Sequence, residues 1–302
     1  MQHSAKLSGV FAPIVTVFDE QENILLAHIV ENILAYNQTQ LRGYMPLGSN
    51  GEFQGLTDRE ALNVLEAVCC AKAADKIIVG GCGRESARKT VEFIQQVANC
   101  GLDYAFVLPP HYFLSKMSEE ALYRFYMQVA DGSPIPIIIY NAPKFAAGIQ
   151  LSPALIQRLS SHPNIVAMKN SSTTPNRLYI EAVDPDEFLI IAGNVATFYP
   201  GLCDGACGGV LSTASYLPEY CCRLYGLYRD GHVEQAKVLH EFLCTLSAAT
   251  IGPMGVAGVK LGLELRGLHG GHVRVPLLDA TIEEREQVDA YFRQVGIGPF
   301  HG

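Results

Sequence analysis

Ile165-Val166-Ala167-Met168-Lys169, followed at once by Asn170-Ser171-Ser172, is the stretch on which the reading of this chain turns. Four apolar residues in a row suit a strand covered on both faces. A lysine closing such a run reads as the last residue of a buried strand, its amine pointing into a cleft. A surface lysine is hydrated and protonated, with a pKa of about 10.4. Held against apolar walls it loses part of that hydration and can become a neutral amine. A neutral amine attacks ketones to form a Schiff base.

Working outward, the same kind of run recurs along the chain. Strands are expected at Val10 to Val17, Gly43 to Leu47, Lys76 to Gly80, Tyr104 to Leu108, Pro136 to Tyr140, Ile165 to Lys169, Phe188 to Ala192 and Gly208 to Leu211. Most are continuously apolar rather than alternating, and the spacing of roughly 20–35 residues leaves room for one crossover helix each. Helix starts agree. Thr57-Asp58-Arg59-Glu60 fits a capping box, and Ser152-Pro153 places a cap residue and then proline at the first helical position. Eight β-then-α units make a (β/α)8 TIM barrel of α/β class. A doubly wound nucleotide-binding sheet would want G-x-G-x-x-G after the first strand, but Phe18-Asp19-Glu20-Gln21-Glu22-Asn23 stands there. Helical periodicity dominates at Tyr216 to Tyr228, Val233 to Leu246 and Val256 to Leu265, and Thr281-Ile282-Glu283-Glu284 caps a last helix ending near Gln294. The expected organisation is a barrel over residues 1–225 and a helical C-terminal extension over 226–302, packed on the barrel.

The 302 residues are 49% hydrophobic, enough for a large core. A formal charge of −8 with no basic block argues against nucleic acid and anionic membranes as partners. No uncharged run approaches the roughly 20 residues of a membrane span, and the N-terminus leads into no secretory h-region. The nine cysteines include Cys69-Cys70 and Cys221-Cys222 but no C-x-x-C. They read as reduced, mostly buried thiols in a cytoplasmic compartment.

Function gathers at the C-terminal ends of barrel strands. Read there, the candidates are few. Gly48-Ser49-Asn50-Gly51-Glu52 makes sense as a carboxylate clamp. The glycines allow a tight turn and close approach, Ser49 and Asn50 offer donors, and successive backbone N–H groups form an anion nest. An ordinary β-to-α turn is the other reading. Pro109-Pro110-His111-Tyr112-Phe113 follows strand four. Tyr140-Asn141-Ala142-Pro143 ends strand five, where a core aromatic is the alternative for Tyr140. Lys169 ends strand six, Gly193-Asn194 strand seven, and Val210-Leu211-Ser212-Thr213 strand eight. A metal-dependent lyase would have to draw on His3, Asp103 and His111, but no H-x-H or acidic cluster lies at strand ends. The other histidines, His269 and His272 included, read as solvated loop residues.

Gly9-Val10-Phe11-Ala12-Pro13-Ile14-Val15-Thr16, Gly-Ser-Asn-Gly-Glu, Tyr-Asn-Ala-Pro and Ala-Met-Lys, in that order and at barrel spacing, resemble the dihydrodipicolinate synthase / N-acetylneuraminate lyase family of pyruvate-dependent class I aldolases. The resemblance covers nearly the whole chain. It implies Lys169 as the Schiff-base lysine, Tyr140 as the proton relay, and Ser49 and Asn50 as holders of the pyruvate carboxylate. It implies Ser49 as the link between Tyr140 and Tyr112, the latter contributed by a neighbouring subunit, and Gly193 and Val210 beside the keto acid. It further implies a homotetramer, often a dimer of tight dimers, with no metal and no organic cofactor.

One position departs from that pattern. Dihydrodipicolinate synthases typically carry an arginine five residues after the relay tyrosine, meeting the second substrate's carboxylate. Phe145 stands there, and a phenyl ring cannot pair a carboxylate. Ser-Asn in place of Thr-Thr looks more like the 4-hydroxy-2-oxoglutarate and 2-keto-3-deoxy sugar-acid aldolase branches, although Phe145 also departs from the polar residue of the hydroxyoxoglutarate branch. The expected activity is a carbon–carbon lyase joining or releasing pyruvate and an aldehyde. Dihydrodipicolinate synthase, condensing pyruvate with aspartate semialdehyde, and a non-catalytic keto-acid-binding barrel are the alternatives.

Overall fold

Eight parallel strands close into a barrel, in chain order, in the computed structural model, which describes residues 2–300. They are β1 (Gly9–Pro13), β2 (Gly43–Met45), β3 (Ile77–Gly81), β4 (Tyr104–Val107), β5 (Ile137–Asn141), β6 (Ile165–Asn170), β7 (Leu189–Ala192) and β8 (Gly208–Val210). Helices come before, between and after them: α1 (Gln2–Leu7), α2 (Leu26–Asn37), α3 (Asp58–Ala71), α4 (Ala87–Val97), α5 (Glu119–Gly132), α6 (Pro153–Ser160), α7 (Asn176–Ile180), α8 (Phe198–Asp204), α9 (Pro218–Arg229), α10 (Val233–Met254), α11 (Val256–Leu265) and α12 (Ile282–Gln294). The expected α/β barrel is therefore the fold. Apart from Leu189, every strand residue is buried, which is why the strands read as unbroken apolar runs.

Boundaries differ where local chemistry intervenes. β1 ends at Pro13 rather than Val17: Pro13 pairs with Met45, and Ile14 donates one last bond to the Met45 carbonyl at 3.0 Å before the chain leaves the ladder. The caps are as the sequence implies. Thr57 with Glu60 and Thr281 with Glu284 form reciprocal capping boxes, and Ser152 accepts the Leu155 N–H ahead of Pro153.

The chain divides into two compact units. One takes the segment up to Gly9 together with Ile77–Val210, the other Val10–Lys76 together with the segment from Leu211 onward. Within the first, the β5–β6 ladder carries an irregularity between Ile137 and Ile138. Ile137 pairs with Ile165, but Ile138 pairs with Ala167, so one extra β6 residue, Val166, is absorbed. From there on Tyr140 lies opposite Lys169 and Asn141 opposite Asn170. Without the extra residue Tyr140 would face Met168. Within the second unit, β1 and β2 run side by side with Phe11 opposite Gly43.

Candidate active site

Lys169 is 6% exposed on β6, and Tyr140, its partner across the ladder, is 4% exposed on β5. Partners in a parallel ladder share a face, so the phenol and the amine lie together. The Lys169 ammonium nitrogen is 4.5 Å from the Tyr140 ring centroid and 5.5 Å from that of Phe106. Phe106, buried on β4, packs on Tyr140 with centroids 4.4 Å apart and planes tilted by 30°. Burial pulls the Lys169 amine below its ordinary range, while the charge of Tyr140 and a hydrogen bond to it pull the other way. The arrangement sets an amine whose charged form burial disfavours beside a phenol hydroxyl, between two aromatic rings. Phe106 was not among the sequence candidates. Its signal was there, the second of two aromatics in the run Tyr104 to Leu108, but an aromatic in a buried strand is usually only core.

Beyond Lys169 the chain stays tightly fitted. A side chain at Gly193 would collide with the Ser171 hydroxyl and the Asn170 carbonyl, so the backbone after β7 can lie against the end of β6 only as glycine. Ser171 donates a long hydrogen bond, 3.4 Å, to the Gly193 carbonyl. Val210 closes β8 and is buried.

Ser49 and Asn50 lie in the second unit, in a short 3-10 turn, Ser49–Gly51, directly after β2. The tight turn was expected to use its glycines, but the left-handed positions belong to their neighbours: Leu47 has φ 59° and Glu52 φ 52°. Gly51 is needed for close approach instead. A Cβ there would come within 3.0 Å of the Ile14 carbonyl, and the Thr16 hydroxyl donates to the Gly51 carbonyl at 2.6 Å. The N–H groups of Gly51 and Glu52 are taken by the carbonyls of Gly48 and Ser49 at 3.0 and 3.2 Å, which removes them from the expected nest. Asn50 donates to the Ser212 hydroxyl at 2.9 Å.

Glu52 anchors this turn. Its carboxylate is 2.6 Å from the Lys260 ammonium of α11, both side chains buried, and accepts the Arg274 N–H at 2.8 Å. Lys260 also donates to the His272 carbonyl and lies 4.6 Å from the Phe18 ring centroid. Nothing in the sequence pairs Glu52 with a lysine more than 200 positions away.

Tyr112 is 78% exposed and neighbours the exposed Phe113 and Leu114. The N–H groups of His111 and Tyr112 both donate to Glu85, at 3.0 and 2.8 Å. Phe145, 42% exposed, ends a 3-10 turn, Pro143–Phe145, after β5. Its ring lies 6.0 Å from the Lys144 ammonium.

The residues imagined as metal ligands are engaged elsewhere. His3 bonds the Tyr104 hydroxyl at 3.0 Å, Asp103 pairs with Lys6 at 3.7 Å and His111 with Glu85 at 3.2 Å. His269 and His272 do lie in partly exposed loop segments, as expected, and both side chains have acidic neighbours. His272 pairs with Asp279 at 2.7 Å. His269 pairs with Glu31 at 2.6 Å and stacks on His28, the rings 4.1 Å apart and 13° from parallel. Ligand atoms of His28, Glu31 and His269 lie within 4.8 Å of one another. Stacked face to face at this distance, however, the two rings send their in-plane lone pairs along separate planes that do not converge on one ion. As arranged, His269 contacts the Glu31 carboxylate on one side and stacks on His28.

Comparison with known proteins follows the same lines. The sequence profile of the "Dihydrodipicolinate synthetase family" matches residues 6–295. A probable mitochondrial 4-hydroxy-2-oxoglutarate aldolase from Emericella nidulans is 32% identical over 300 residues, covering 97% of this chain and 96% of the relative. A 4-hydroxy-tetrahydrodipicolinate synthase from Archaeoglobus fulgidus is 30% identical over 281 residues, covering 93% and 95%. Among solved structures, a prophage protein of the dihydrodipicolinic acid synthase family from E. coli K12, crystallised in complex with pyruvate, superposes with a TM-score of 0.89. It is 25% identical, with 96% of this chain and 99% of that chain covered.

Proposed function

The chain belongs to the dihydrodipicolinate synthetase family of lyases, and we propose that it is a Schiff-base aldolase joining or cleaving pyruvate and an aldehyde, with Lys169 as the imine-forming residue. One observation carries the reading: a buried lysine, its charged form disfavoured by burial, set against Tyr140 across a parallel ladder. The Lys169 nitrogen attacks the pyruvate ketone carbon, and the oxygen leaves as water. The iminium withdraws electrons, so a methyl proton departs and an enamine forms. The enamine carbon attacks the aldehyde carbonyl, whose oxygen takes a proton, and water then releases the product and restores the amine. Cleavage runs the same steps in reverse. Tyr140 passes the protons between substrate hydroxyl and solvent. A buried carboxylate is costly unless hydrogen-bonded. Ser49 and Asn50 are assigned to it because they stand at the C-terminal end of β2, the end of a barrel strand that carries function. Gly193 and Val210 are assigned to backbone contacts with the keto acid at the equivalent ends of β7 and β8.

Phe145 directs the second substrate. A half-exposed ring five residues after Tyr140 offers no partner to a carboxylate and favours a less charged or partly apolar aldehyde, as in the 2-keto-3-deoxy sugar-acid type, whereas the 4-hydroxy-2-oxoglutarate type is supported by Ser49-Asn50 rather than by Phe145. The Archaeoglobus relative favours the synthase alternative by its name; Phe145 disfavours it. We assign the barrel to residues 1–225 and the helical extension to 226–302. Tyr112 completes the relay through Ser49 in a neighbouring subunit of a homotetramer, supported by the exposed run Tyr112-Phe113-Leu114. None of the nine cysteines is in a disulfide, which supports a reducing, cytoplasm-like compartment. No helix among the described residues is long and apolar enough to cross a membrane.

An aldehyde screen with pyruvate tests the substrate assignment. Wild type should turn over sugar-derived aldehydes and should handle aspartate semialdehyde poorly, while Phe145→Arg should shift the preference toward aspartate semialdehyde. Efficient wild-type condensation with aspartate semialdehyde would refute the role given to Phe145.

A further inference from the structure

Asn141 and Asn170 directly follow Tyr140 and Lys169, and they too are partners in the β5–β6 ladder. Side chains alternate across a strand, so the two amides point away from the face that holds the phenol and the amine. There they enter a polar layer in which Asn141, Asn170, Ser172, Asn176 and Tyr179 are all buried. Asn141 Nδ2 donates to Asn170 Oδ1 at 3.2 Å and to the Tyr179 hydroxyl at 3.0 Å, and its Oδ1 accepts the Leu151 N–H at 3.1 Å. Tyr179 passes its own proton to the Leu151 carbonyl at 2.7 Å. Asn170 Oδ1 accepts the Ser172 N–H at 3.1 Å and the Ser172 hydroxyl at 2.7 Å. Asn170 Nδ2 donates to the Thr174 carbonyl at 2.8 Å and to Asn176 Oδ1 at 2.9 Å. Each of the two amides therefore uses both N–H groups and its oxygen.

Two apolar side chains would bury as well, without needing such exact partners, but they would not hold the register. Register matters here because a slip of one residue would turn Tyr140 or Lys169 to the opposite face. The ladder also has a weak point, the irregularity at Ile137/Ile138 upstream. The amide pair sits three residues beyond it, where only one register lets both asparagines complete their bonds. The same layer reaches β7, since the Asn170 carbonyl packs on Gly193 too closely for any side chain there.

We propose that Asn170 is a positioning residue for imine chemistry: through Asn141 it locks β5 to β6 in the register that sets Tyr140 against Lys169. This rests on the assignment of Lys169 as the Schiff-base lysine. Asn170 itself touches neither substrate nor reacting atoms.

Steady-state kinetics with pyruvate varied, borohydride trapping and thermal unfolding of wild type, Asn170→Ala, Asn170→Asp and Ser172→Ala test it. Misplacing reacting groups by about 1 Å costs on the order of 100-fold. Asn170→Ala should therefore lose about that much kcat and trapping rate, with the pyruvate KM within about threefold of wild type. Asn170→Asp keeps the oxygen that accepts from Asn141 and Ser172 and should recover about tenfold of the loss. A layer that served stability alone would lower Tm in both variants and leave kcat per folded molecule unchanged; that result overturns the proposal. If Asn170→Ala does not fold, Ser172→Ala decides, because it deletes a single hydroxyl from the layer. A several-fold fall in kcat at constant KM supports positioning, and wild-type kcat overturns it. A wild-type enzyme that traps no pyruvate on Lys169 would instead sink the imine assignment itself. Wild-type trapping with an unchanged rate in Asn170→Ala sinks the positioning role alone.

Discussion

Replacing Glu52 by Gln should cost far more than a surface charge would. The carboxylate and the Lys260 ammonium are 2.6 Å apart, their side chains 4% and 2% exposed. Removing one partner of a buried pair leaves the other charge uncompensated, a loss of about 3–5 kcal/mol. Glutamine retains one acceptor for the ammonium, and a retained hydrogen bond offsets about 1 kcal/mol. The expected loss is therefore about 2–4 kcal/mol, or roughly 3–6 °C in Tm for a chain of this size. Glu52→Gln/Lys260→Met removes the stranded charge as well and should recover at least half of the loss, because uncharged side chains of similar volume often replace a buried pair without penalty. Calorimetric and urea unfolding of wild type, both single variants and the double variant give the coupling energy. Since Glu52 closes the Ser49–Gly51 turn, the pyruvate KM of Glu52→Gln should also rise several-fold. A single variant within about 1 kcal/mol of wild type would show that the pair is worth no more than an exposed one, and the reasoning would be wrong.

Three further outcomes follow from the geometry. Tyr140→Phe removes the hydrogen bond and charge that hold the Lys169 amine up against burial. The pH limb on which imine formation rises should move to lower pH, even as turnover falls by about 10²–10⁴ with loss of proton transfer; stopped-flow imine formation across pH reports both. Gly193→Ala drives a Cβ into the Asn170 carbonyl and the Ser171 hydroxyl, so trapping of pyruvate should slow sharply while a Gly226→Ala control, with open space around it, stays at the wild-type rate. Arg274 bonds Glu60 at 2.9 and 3.2 Å and holds its carboxyl down at about 2, from an ordinary 4.5. A depressed carboxylate adds stability above its unfolded pKa and loses it as pH falls toward the folded one. Acid unfolding between about pH 4.5 and 2 should thus flatten in Glu60→Gln, and an unchanged slope in urea titrations would contradict the assignment.

Much of the barrel and its central pair was legible because burial on both faces leaves a plain signature. An apolar run that ends in lysine or tyrosine has few explanations, and eight buried runs at crossover spacing with no glycine fingerprint after the first favour a barrel over a doubly wound sheet. What escaped reading depended on contacts rather than on composition. Asn141 and Asn170 look like ordinary residues after a strand, and only the ladder shows them back to back behind the site. Leu47 and Glu52, not the glycines beside them, take the left-handed backbone, because the turn is held by Glu52 reaching a distant lysine rather than by intrinsic preference. His269 reads as a solvated loop residue until its backbone is seen bonded to Asn32 at 2.9 and 2.7 Å and its ring stacked on His28. Phe106 was hidden by its surroundings, an aromatic among apolar neighbours.

Sodium borohydride added to enzyme and pyruvate, followed by intact mass and peptide mapping, tests the central assignment most directly. One reduced pyruvyl group should appear on Lys169 in wild type and be lost in Lys169→Ala. No adduct on wild type, or an equal adduct in Lys169→Ala, would contradict it.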